Sequence, residues 1–289
     1  MIWAYLALNL CAVLVAAYVR YDRAVLSHAA PGAMGPSGWL WTIGAAAALG
    51  VLAAVAGWRR AARRSQAPRA LAELMLLPVA FVLVWGFLPP RPRQYTALHW
   101  ACIAVLLAGV GVAIWRDRRG AGPLGLTGRH FVAAAGLLAI PTAVMVAAPI
   151  AAALCVGTDV EPRRAAMSAA GYPVYALAQL LIFQVFLVPR LRRLSDSKAA
   201  VVVAASALFA LAHWPNALVM AVCAAAAVVW TWVYLARPNV YALALSMALA
   251  ATSFTHALPR DLTRHVRVGP MYVLREVQHA SRQPVVSSP

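Results

Sequence analysis

The chain has 289 residues, 63% of them hydrophobic and only 11% charged, with a mean hydropathy of +0.75 and a formal net charge of +17. Soluble domains carry roughly 45–50% apolar and about 25% charged residues, so a water-soluble globular fold is excluded: one core cannot hide this much apolar surface. In a soluble protein the basic charge would point to nucleic acid. Here it sits mostly between apolar blocks, and it reads instead as a topology signal and a contact with anionic lipid headgroups.

Nine apolar blocks approach the roughly 20 residues needed to cross a bilayer. They run Ile2–Val19, Gly38–Trp58, Ala70–Leu88, Ala97–Trp115, Phe131–Val156, Tyr172–Pro189, Ala199–Trp214, Ala217–Ala236 and Val240–Leu258. Lipid offers no water to backbone groups, so spans must satisfy themselves as helices or closed barrels. Barrel strands alternate apolar and polar residues over short segments, and these blocks do not. The expected fold is an all-α polytopic transmembrane bundle of eight to nine spans. The first block has no basic n-region and no small-residue cleavage site before Arg20, so it is expected to be an uncleaved span.

Basic residues mark sidedness. One set of alternate loops holds Arg59, Arg60, Arg63, Arg64, Arg69, Arg116, Arg118, Arg119, Arg129, Arg190, Arg192, Arg193, Lys198 and Arg237. The other set holds Arg20, Arg23, Arg91, Arg93, Arg163, Arg164 and the tail arginines, and it is poorer. Nine spans then put the N-terminus in the cytoplasm and the C-terminus outside; eight would return the tail to the cytoplasm. Lys198 is the only lysine, and alanine is abundant. That coding bias suggests a GC-rich bacterium, and hence its inner membrane.

Cys11, Cys102, Cys155 and Cys223 lie in or at the ends of apolar blocks and form no CxxC. They read as packing residues, and no metal or cofactor is expected. Ionisable groups at membrane depth are costly, so each is a candidate site. Glu73 stands one turn from an arginine-rich loop and reads as snorkelling or paired there. His99 reads as interfacial and His256 as a helix-end residue. Gln179 and Gln184 sit inside the sixth block, five residues apart, and each could hydrogen-bond across the bundle. His213 closes the seventh block.

The stretch from Gln179 to Ala251 resembles the CPBP family of intramembrane proteases, the CAAX-protease and bacteriocin-processing group. Its second motif, FxxxH, stands intact as Phe209-Ala210-Leu211-Ala212-His213. Trp230 to Asn239 resembles the family's connection into its third motif. The scaffold of the first motif, EExxxR, is carried by Phe183, Phe186, Leu187, Pro189, Arg190 and Leu191. The chemistry departs. Gln179 and Leu180 stand where the family has two carboxylates, and Gln184 stands at the arginine. Met247 and Ala251 hold the histidine and asparagine positions of the third motif. The vestigial motif positions are therefore Gln179, Leu180, Gln184, Phe209, His213, Met247 and Ala251. If the chain were active, His213 would be its catalytic residue. The resemblance implies a glutamate that activates water, with histidines at the water or the oxyanion. Glutamine cannot take the proton a general base must accept.

The domain expectation is a five-span N-terminal region (1–171), a CPBP-like four-helix membrane core (172–258) and a polar tail (259–289). Three functions compete. One is a non-catalytic scaffold, chaperone or complex subunit for a membrane-protein partner. Another is an active intramembrane peptidase with Glu73 as base beside His213. The last is a pigment-, quinone- or substrate-binding subunit or transporter, prompted by the ten tryptophans and the span histidines. The expected partners are the bilayer and a membrane protein, not nucleic acid.

Overall fold

A computed structural model describes residues 2–20, 67–84, 95–120, 124–157 and 162–259, with 262, 263, 266 and 268. The second apolar block, the arginine-rich loop after it and nearly all of the tail lie outside the described residues. Those described form eight continuous helices. They are α1 (Ile2–Arg20), α2 (Ala67–Leu74 and Leu76–Val82 around a turn at Met75), α3 (Ala97–Gly120) and α4 (Phe131–Cys155). The fifth, α5, runs from Pro162–Leu180 through a π-helical segment, Leu181–Leu187, into Val188–Leu194. After it come α6 (Lys198–Leu211), α7 (Ala217–Ala236) and α8 (Val240–Ala257). Among the described residues the fold is all-α, and the protein is multi-pass. Among the described residues, five stretches are long and apolar enough to cross a membrane: Ala97–Arg118, Phe131–Cys155, Ala170–Leu194, Ala217–Ala236 and Val240–Ala257.

The chain divides into two compact units. The first comprises Met1–Leu106, Leu211–Asn216 and Arg267–Pro289; the second comprises Leu107–Ala210 and Ala217–Val266. In the first unit α1 packs on the second half of α2. Pro78 has no N–H, so the carbonyl of Leu74, four residues earlier, loses its helical donor. The buried Tyr5 hydroxyl donates to that carbonyl at 2.7 Å. A freed backbone group in lipid needs such a replacement.

In the second unit α8 packs chiefly on α4 and α5, and α7 packs on α4. The core is built from small and medium apolar residues of α5 to α8, such as Leu180, Val185, Leu208 and Leu243. By contrast, Val132 and Ile140 of α4 are largely exposed, as lipid-facing side chains are. The π-segment lies directly before Pro189. A proline ring clashes with the carbonyl four residues back, here that of Val185, and the wider π-turn relieves the clash. Such turns mark sites where a helix re-aims its side chains.

The boundaries differ from those read in the sequence. The sixth block extends as a helix from Pro162 to Leu194, ten residues upstream of its apolar start. The seventh ends at Leu211, because Ala212–Pro215 is a turn that includes a cis Trp214–Pro215 peptide.

Candidate functional site

The residues that carry the resemblance lie mostly in the second unit. Leu180 is fully buried, and Phe209 and Met247 are nearly so; Ala251 is half-buried. Phe183, Phe209 and Trp230 form two successive edge-to-face contacts, with centroids 5.0 and 6.0 Å apart. The phenylalanine of FxxxH therefore pins α6 between α5 and α7, an arrangement aromatic rings favour.

Gln184 is 2% exposed. Its Nε2 donates to Thr231 Oγ1 on α7 at 3.0 Å. This is the bond across the bundle that its residue type suggested. Gln179 does otherwise: its Nε2 donates to the Tyr175 hydroxyl one turn back on the same helix, at 3.1 Å. One end of each amide, Oε1 of Gln179 and Oε1 of Gln184, is buried without a hydrogen-bond partner. Nearby on the chain, Trp230 Nε1 donates to Ser246 Oγ at 3.1 Å, and Ser246 shares a 2.6 Å bond with Thr142. These two sets of bonds, one between α5 and α7 and one joining α7, α8 and α4, are made by neutral amide, indole and hydroxyl groups.

His213 is half-buried in the turn Leu211–Asn216, which groups with the first unit. Glu73 is in that same unit and pairs with Arg69 at 3.1 Å, with its side chain 9% exposed. The pairing matches the reading of Glu73 as anchored to the basic loop. Of the other span histidines, His99 Nδ1 accepts from the Thr96 backbone N–H at 2.9 Å. His256 lies in the last turn of α8 and is hydrogen-bonded through Nε2 to Ser168 Oγ at 2.8 Å.

Three features escaped the sequence reading. Asp117, at the end of α3, is 5% exposed and sits between two guanidinium groups, 3.1 Å from Arg190 and 2.7 Å from Arg193. Arg190 is fully buried, donates to the Phe186 carbonyl at 2.6 Å and lies 4.1 Å from the Phe186 ring centre. An aspartate among basic loop residues looks like a surface charge in one dimension, and only the fold brings the α5 arginines to it. The second feature is a clamp. Asn239 caps α8 through Ala242 N, and its Nδ2 donates to the carbonyls of Thr127 and Arg129 at 3.0 and 2.9 Å. Tyr234 donates to the Leu124 carbonyl, and the carbonyl of Gly125 accepts from Val240 N. Gly125 has φ +71°, and a Cβ there would come within 2.8 Å of the Pro238 backbone. The tyrosine and asparagine of the "connection" thus hold the segment before α4 against the start of α8. The third feature is Asn9, buried within α1 and donating to the Tyr5 carbonyl at 2.7 Å. Among the described residues, no three His, Cys, Asp or Glu side chains gather to hold a metal ion.

Seen as a class, this is a multi-pass helical membrane protein whose second unit holds neutral hydrogen bonds between helices and, apart from them, a buried Asp117–Arg190–Arg193 cluster. Residues 164–252 match the family described as type II CAAX prenyl endopeptidase Rce1-like, and they constitute an Rce1-like domain of the CPBP family. No curated protein and no solved structure matches the chain.

Proposed function

We propose that this protein is a non-catalytic member of the CPBP protease fold. It holds a membrane-embedded partner as a scaffold, chaperone or complex subunit, in the cytoplasmic membrane of a bacterium. One observation carries the reading. Where the resemblance places two carboxylates and an arginine, the chain has Gln179, a fully buried Leu180, and a Gln184 tied to Thr231 by a neutral bond. Amide hydrolysis needs a base of suitable pKa beside the scissile carbonyl and donors at the developing oxyanion. Leu180 supplies neither, and a glutamine amide is no base.

The substitutions also agree with one another. Removing one member of a buried ion pair strands a charge at about 3–5 kcal/mol, whereas here the charged members are replaced together. Of the three carboxylates among the described residues, Asp117 is committed to two arginines and Asp196 is exposed in the turn after α5.

A second reading, an active intramembrane peptidase, draws on the placement of Glu73 and His213 in one compact unit. Glu73 would be its base. The two readings part on one assay: the purified full chain, in vesicles, incubated with a prenylated C-terminal peptide and with a transmembrane peptide. The non-catalytic reading expects no cleavage. Cleavage that His213→Ala and Glu73→Gln both abolish overturns it.

A further inference from the structure

The face of α5 above the vestigial motif carries a polar stripe. Ser168, Tyr172, Tyr175 and Gln179 are spaced by four, three and four residues, so at about 100° per residue they fall within roughly 60° of one another. The contacts follow that line. Ser168 is bonded to His256, Tyr172 and Tyr175 meet edge to face at 5.5 Å, and Gln179 donates to Tyr175. The stripe is not sealed, since Tyr175 is 56% exposed. Gly171, Val174 and Ala178 beside it are exposed too. A Cβ at Gly171 would meet nothing within 4 Å, so the fold itself does not require a glycine there. At the inner end, Gln179 Oε1 is buried and without a partner.

Depth decides what can cover this stripe. The apolar span of α5 begins at Ala170, so Gln179 lies about 13 Å along the helix, close to the middle of a hydrocarbon layer about 30 Å thick. Lipid headgroups stay at the interface and do not reach it. Lipid tails reach it but cannot hydrogen-bond, and polar groups left to lipid are costly. A second transmembrane helix can do both. It can approach closely over Gly171 and Ala178, as small residues permit, and place a hydroxyl or amide at mid-membrane depth. Such groups donate and accept, so they complete the part-exposed Gln179 amide once its side chain turns the unpartnered Oε1 from the protein interior to the partner helix.

We infer that the stripe from Gly171 to Gln179 is a docking groove for a partner transmembrane helix bearing a hydroxyl or carboxamide side chain near its middle. The inference rests on the non-catalytic reading above and names the partner's chemistry. It is tested with the full chain in phosphatidylcholine vesicles, using energy transfer to synthetic Leu/Ala helices of about 20 residues. One helix carries a single central asparagine, and its control carries none. The asparagine helix should bind about threefold tighter or more, the scale of an interhelical polar contact. Gln179→Leu should remove the preference, and Gly171→Leu should weaken both helices while leaving the circular dichroism unchanged. Equal binding of the two helices, or a preference that survives Gln179→Leu, would overturn the groove. So would energy transfer between differently labelled copies of the chain that Gly171→Leu abolishes, which assigns the face to self-association. Cleavage of a peptide contradicts the non-catalytic reading alone; equal binding contradicts the groove alone.

Discussion

Gln184 of α5 donates through Nε2 to the Thr231 hydroxyl of α7 at 3.0 Å, and both side chains are buried. At the position where the family resemblance expects an arginine, a neutral amide joins two helices. Thr231→Val therefore leaves a buried amide unpaired and should destabilise the bundle by about 1–2 kcal/mol. The double change Gln184→Leu with Thr231→Val should cost less than Thr231→Val alone. Reversible unfolding in mixed micelles checks both, and a double variant weaker than either single one would contradict the assignment.

Leu180, four residues before Gln184 on α5, is fully buried. Leu180→Glu puts a carboxyl at membrane depth with no guanidinium at position 184 to receive it. Charged side chains at a helix centre cost about 2.5–3.5 kcal/mol on insertion scales. The variant should lose at least about 2 kcal/mol of stability by the same estimate. Adding Gln184→Arg should recover part of the loss. No recovery would show that the two positions do not face each other.

Asp117 is the acceptor shared by Arg190 and Arg193. Asp117→Asn removes the negative charge between two guanidinium groups, one of them fully buried, and should cost about 3 kcal/mol. Because the cluster is buried, the loss should change little with salt, whereas surface pairs are screened. A loss that vanishes in high salt would relocate the cluster to the surface. Thermal unfolding at two ionic strengths decides.

The clamp at Asn239 separates two roles. Asn239→Asp keeps the acceptor that caps Ala242 N but loses the donations to Thr127 and Arg129. Asn239→Ala loses all three, so it should be the weaker variant by about 1 kcal/mol, the worth of a cap. Gly125→Ala should be damaging as well, since φ +71° and a backbone atom 2.8 Å from the added carbon leave it no room. Limited proteolysis within 124–130 reads the release of this segment. Equal protection in all three variants would contradict the clamp.

The helical architecture was legible because lipid-length apolar blocks need no tertiary information: five of them correspond to the long apolar helices. Boundaries were less so. The first turns of α5 hold Arg163, Arg164 and Ser168, which break the apolar pattern without breaking the helix. The π-turn before Pro189 left no signature beyond the proline. Of FxxxH, Phe209 lies buried in the second unit and meets Phe183 and Trp230 edge to face, whereas His213 groups with the first unit. Asp117 was illegible because its partners lie more than seventy residues away. Gln179 and Gln184 were both read as cross-bundle partners. Only Gln184 is one, because Tyr175 lies a turn from Gln179 and takes its amide first.

Peptide hydrolysis by the purified full chain in vesicles tests the central claim most directly. Its substrates are a prenylated C-terminal peptide and a transmembrane peptide, followed by mass spectrometry beside the His213→Ala variant. The account predicts intact peptides with both proteins. Cleavage by the wild-type chain that disappears in His213→Ala would contradict it.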